Sequence, residues 1–132
     1  MSLASGKEFV ETFHHENYHY MERYIFKRGG TFDKWVSLNP IGFTYDGDNS
    51  SYDVYSYTGK PNSFFVNTYA RDSSEYEDRA STFEYMMATS KSSCLNYNMP
   101  VYYKALMISE KIDESFSTCS PNNTEYWERF IK

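Results

Sequence analysis

Two cysteines, no apolar run approaching the width of a bilayer, no cluster of lysine and arginine, and few Leu, Ile and Val set the 132-residue chain apart by what is scarce in it. Cys94 and Cys119 have neither a CxxC partner nor a histidine at ligand spacing, so the sequence gives them no metal site. A bridge between them would close a loop of about 25 residues and add roughly 3 kcal/mol in the chain-entropy model; two separate thiols are the equal alternative. No segment nears the ~20 apolar residues that span a membrane, and the opening MSLASGKE lacks the apolar core of a signal peptide. The net charge of −5 comes without a basic stripe, so nucleic acid is not an expected partner. With aliphatic residues scarce, 14 Tyr and 10 Phe must carry the core, and their hydroxyl groups must find partners.

Residues 1–6 read as a cloning leader, which implies native sequence upstream, and 7–132 as one domain, or the C-terminal part of a longer one. Phe9, Phe13, Tyr20 and Tyr24 recur near helical spacing and predict a helix over 7–28 that ends at Gly29-Gly30. A long ordered loop follows, mixing Pro, Gly, Asn and Asp with aromatics; loops of this length tend to serve a site. YDVYSYT (52–58) and SFFVNTY (63–69) alternate β-formers with polar residues and predict a hairpin. Helices are expected over 74–88, with Ala80, Phe83 and Met87 on one stripe, over 100–116 behind Pro100, and over a short stretch behind Pro121. Trp35 and Trp127 read as helix anchors. The tyrosine-rich loops read as core packing before sugar platforms, and the sequons at 49–51 and 122–124 matter only in a eukaryotic secretory setting.

The first helix carries TFHHENYHYMERY, in which His15, Glu16 and His19 form H-E-x-x-H. At about 100° per residue, His15 and His19 lie about 40° apart and one turn apart, close enough for both imidazoles to reach one ion. Glu16 falls about 60° beyond His19, beside such an ion, where a general base belongs. The pattern points to a catalytic zinc, which takes three protein ligands. His14 turns about 100° away from His15 and reads as structural or as supporting the ligands. No histidine follows His19, so the third ligand must be an Asp or Glu. Taken alone, Glu77 reads first as an acid stabilising its helix N-terminus; coupled to H-E-x-x-H it reads first as a ligand, and Asp78 and Glu84 are weaker ligand candidates. No G-x-S-x-G elbow supports a serine hydrolase.

The pair HHENYH and NTYARDSSEYEDRASTFEYMM resembles the gluzincin metallopeptidases, in particular the group of the anthrax lethal factor catalytic domain and the Pro-Pro endopeptidases. There a Tyr precedes a helix of pattern E-x-x-A-E-x-F. The resemblance implies Glu77 as the third zinc ligand beside His15 and His19, Glu16 as general base, and Tyr69 as the oxyanion helper, with Tyr76 as the fallback. Ser81 stands where the group has a second acid. The expected fold is then α+β and helix-dominated, a zincin-like core lacking its upstream β-sheet. The expected activity is Zn2+-dependent hydrolysis of a peptide or protein substrate, in an extracellular or cell-envelope setting typical of similar bacterial surface peptidases. The alternative is a surface binding module, non-catalytic or truncated, that keeps the metal site.

Overall fold

The computed structural model describes residues 6–55, 63–88 and 99–116. Four helices order it: α1 (Gly6–Lys27), the short α2 (Thr68–Asp72), α3 (Glu75–Ala88) and α4 (Pro100–Ser115), with a 3₁₀ turn at Val36–Leu38 in the loop after α1. The described residues are helix-dominated, with α3 packed against α1, α2 and α4. Cys94, Cys119, Trp127 and the helix expected behind Pro121 lie outside the described residues, as do 56–62 of the expected hairpin. No described helix is long and apolar enough to cross a membrane.

The helix termini follow local chemistry. Gly29, at φ 88°, takes the left-handed conformation that closes α1, and the Gly30 N–H donates to the Ile25 carbonyl at 2.9 Å. A Cβ at Gly30 would sit 2.7 Å from Ile25 Cγ2, so this position is closed to larger residues. Asn67 caps α2 by accepting from the Ala70 N–H at 2.8 Å, and Ser74 Oγ accepts from the Glu77 N–H at 3.2 Å at the start of α3. Pro100 occupies the first turn of α4 behind Met99, as the sequence predicts.

Two expectations change. The aromatic stripe that marks α1 as a helix is not its buried face: Phe9, Phe13 and Tyr20 are 57 to 69% exposed, and the core takes His15, Tyr18, Glu22 and Ile25 instead. In place of a hairpin, Val54 and Phe65 form one parallel bridge, and the chain enters α2 at Thr68, so Tyr69 stands on a helix. No other strand pairing occurs among the described residues. An Asn cap at position 67 competes with extended structure there and wins.

The loop after α1 serves the core. Phe32, Trp35 and Phe43 are buried from it, and Tyr45 reaches inward. Asn49, 4% exposed, donates to the carbonyls of Thr44 and Arg71, so the first sequon is a structural residue tying the loop to α2.

Two charged pairs lie inside. Lys104 Nζ of α4 donates to Asp78 Oδ2 at 2.7 Å with both side chains fully buried, and Arg79 Nε donates to Glu22 Oε1 of α1. Tyr45 donates its hydroxyl to Asp78 at 2.7 Å while accepting from Trp35 Nε1 and Asn39 Nδ2. Burial pushes the Asp78 carboxyl up and the Lys104 amine down, each held back in part by the charge of the other. Removing one partner strands the other charge. Lys104→Met is expected to lower unfolding free energy in urea by about 3–5 kcal/mol, against about 1 kcal/mol for loss of the α2 cap in Asn67→Ala; equal effects would mean the pair does not hold the core.

Candidate metal centre

α1 and α3 cross so that the H-E-x-x-H face of one meets the N-terminal turns of the other. His15 Nε2 lies 2.7 Å from Glu77 Oε2, and His19 Nε2 lies 3.1 Å from Glu77 Oε1. One carboxylate therefore faces two imidazole nitrogens of the same chemical type. The ligand atoms of His15, His19 and Glu77 all lie within 4.8 Å of one another, and among the described residues this is the group of His, Cys, Asp and Glu that could hold a metal ion. Two nitrogens and one oxygen are a donor set that suits a divalent transition metal.

The other nitrogen of His15 is engaged as well. His15 Nδ1 lies 3.0 Å from Glu84 Oε1, which fixes the ring and directs Nε2 at Glu77. Metal-binding histidines characteristically have such a carboxylate behind them. Sequence reasoning ranks Glu84 only as a weak ligand, yet the signal is present: seven residues after Glu77 on one helix brings it to within about 20° of the same face. Ser81 is buried, and Glu84 one turn further along α3 supplies the carboxylate behind His15.

Asp78 is removed from the ligand candidates by its bond to Lys104. His14 packs edge-on between Phe13 and Phe83, away from the cluster, and burial lowers its pKa against the charge of Glu84. Tyr69 stands 52% exposed on α2 with its ring 5.9 Å from that of His15. Desolvation, then the Glu77 carboxylate, holds its hydroxyl above the ordinary phenol pKa. Tyr76 faces Arg79, the guanidinium carbon lying 5.1 Å from the ring centre.

Glu16 is exposed and borders two clefts that meet beside the cluster. One, about 500 Å³, runs along α1 past His19, Arg23, Tyr69 and Tyr76; the other, about 330 Å³, runs past Thr12, Asn67 and Glu84. The structure thus gathers His15, His19 and Glu77 into one cluster with Tyr69 against it, and sets Glu16 at its open side. No protein-family model, curated protein or solved structure matches the chain.

Zinc added to metal-free protein is expected to bind at about one ion per chain and raise Tm. Both effects are lost in His15→Ala and Glu77→Ala, whereas Glu84→Gln keeps the stoichiometry and weakens affinity about 10–100-fold; isothermal titration reads all three.

Protonation adds a second expectation. Burial draws the His15 pKa down, but the hydrogen bonds and charges of Glu84 and Glu77 outweigh it, and the net shift is upward. Burial pushes Glu77 up, and His15, Tyr69 and His19 outweigh it, so Glu77 is lowered. A raised histidine stabilises the fold below its unfolded pKa and loses that contribution as pH rises through the folded value. A lowered carboxylate stabilises above its unfolded pKa and loses the contribution as pH falls. The stability advantage of metal-free wild type over His15→Asn is therefore largest near about pH 5.5 and shrinks towards about pH 8, as paired thermal melts would show.

Proposed function

We propose that the chain is a zinc metallopeptidase of gluzincin type that hydrolyses peptide bonds. The observation supporting this most is the convergence of His15 Nε2, His19 Nε2 and the Glu77 carboxylate, with the intervening Glu16 of H-E-x-x-H exposed at the adjoining clefts. When bound, zinc supplies Lewis acidity towards a carbonyl oxygen and brings the pKa of a water towards ~7. His15, His19 and Glu77 hold the ion, and Glu84 keeps the proton on His15 Nδ1 so that Nε2 presents its lone pair. The Glu16 carboxylate takes the proton of the attacking water and passes it to the leaving amine nitrogen. Tyr69, which lines both clefts with its ring 5.9 Å from that of His15, donates its hydroxyl to the developing oxyanion.

A second reading, a surface module that binds metal without hydrolysis, draws on a different observation. The similar peptidases align substrate on an edge strand, and among the described residues the groove beside His19 is bordered by helical residues alone.

Glu16→Gln is expected to retain one zinc while peptide hydrolysis falls about 10²–10⁴-fold, and Tyr69→Phe to lose about 10²–10³-fold at unchanged zinc content. Full activity in Glu16→Gln sinks the mechanism. Zinc-loaded wild type that cleaves nothing in a broad peptide library selects the binding module.

A further inference from the structure

The larger cleft carries one feature that holding a metal does not need. Arg23 is exposed at its wall, the one Lys or Arg among the described residues that line it. The acids around it are committed elsewhere: Glu22 is buried against Arg79, and Glu77 faces the two imidazoles. Glu16 is two helical turns away. The Arg23 guanidinium carbon lies 5.6 Å from the centre of the Tyr20 ring, a contact that steadies the cation and leaves its N–H fork open to a carboxylate.

Spacing along α1 gives the position a meaning. Glu16 and Arg23 are seven residues apart, hence about 20° apart around the helix and ~10.5 Å along its axis. An extended peptide advances about 3.3–3.6 Å per residue, and helical side chains lean towards the N-terminus, so Arg23 stands two or three substrate residues from Glu16.

We propose that Arg23 selects the substrate, receiving a peptide carboxylate two or three residues from the bond beside Glu16. The inference rests on the peptide-hydrolase reading and names its substrate class as peptides carrying an anion at that distance. An acidic side chain and a chain terminus offer the same chemistry. A planar guanidinium binds either one through paired N–H donors.

The test uses zinc-loaded Glu16→Gln protein, titrated by fluorescence anisotropy with dye-labelled peptide pools of equal length. One pool contains glutamate and has an amidated end, one is uncharged with a free terminal carboxylate, one is uncharged and amidated, and one contains lysine. An anionic pool is expected to bind about fivefold tighter than the uncharged amidated pool, in line with an exposed Arg–carboxylate pair. Adding Arg23→Ala removes the preference, Arg23→Lys keeps part of it, and Arg23→Glu turns it towards lysine. Preference for the glutamate pool assigns the site to a side chain, and preference for the free-carboxylate pool assigns it to a chain end. Equal affinity for all pools, or a preference unchanged in Arg23→Ala, overturns the proposal. Hydrolysis of the same pools by wild type, followed by mass spectrometry, separates the two ideas: cleavage without an Arg23-dependent preference defeats this inference alone, and Arg23-dependent binding without cleavage defeats the hydrolase reading.

Discussion

Three consecutive residues of α3 point in three directions, and the rest of the molecule is arranged around them. Glu77 turns to the histidines of α1, Asp78 to Lys104 of α4, and Arg79 to Glu22 of α1. Successive side chains on a helix diverge by about 100°, so all three contacts can be made at one rotation of α3 and no other. Two of these contacts are buried charge pairs. Desolvation makes them poor sources of net stability, but a misplaced α3 would bury unpaired charges, which costs several kcal/mol. The candidate metal centre inherits this constraint, because the position of Glu77 is set by its neighbours in sequence.

The aromatic composition follows from the same pairs. Lys104 Nζ lies 4.1 Å from the ring centre of Phe65 and 5.2 Å from that of Trp35, and the Arg79 guanidinium is faced by Phe32, Trp35 and Tyr76. Ring faces tolerate a buried cation where aliphatic groups would not. Tyr45 adds a hydroxyl to Asp78 and takes donors from Trp35 and Asn39, so one phenol joins the loop, α3 and the α4 cation. The long loop after α1 is ordered because it delivers these groups to the core, not because it walls the groove.

What could be read from the sequence divides along physical lines. The existence of α1, α3 and α4 was legible, since Gly29-Gly30, Ser74 and Pro100 mark termini by backbone chemistry alone, whereas α2 was not. The buried face of α1 was not: a periodic aromatic stripe is as hydrophobic as a core face, and only the partner helices reveal that His15, Tyr18, Glu22 and Ile25 are covered instead. Polar residues such as Glu22 and Asp78 enter the core because distant cations meet them, and a pairing across the chain leaves no local trace. The second expected strand stops short of Tyr69 for a local reason, a cap at Asn67 that starts a helix where alternation suggested a strand. Within the site, the spacing of His15 and His19 carried the geometry, whereas Glu84 behind His15 needed the helix crossing to be known.

The candidate site is built from parts of unequal firmness. His15, His19, Glu77 and Glu84 stand on two long helices fastened by the Glu22–Arg79 pair. Tyr69 stands on a five-residue helix, too short to persist by its own hydrogen bonds. It is held by the Asn67 cap, by Asn49 donating to the Arg71 carbonyl, and by Arg71 donating to the Tyr52 carbonyl at 2.8 Å. The loop thus reaches the site indirectly, through the element that presents the Tyr69 ring beside His15. Gathering the His15–His19–Glu77 cluster and placing that ring are separate structural tasks, performed by the paired helices on one side and by a stitched turn on the other.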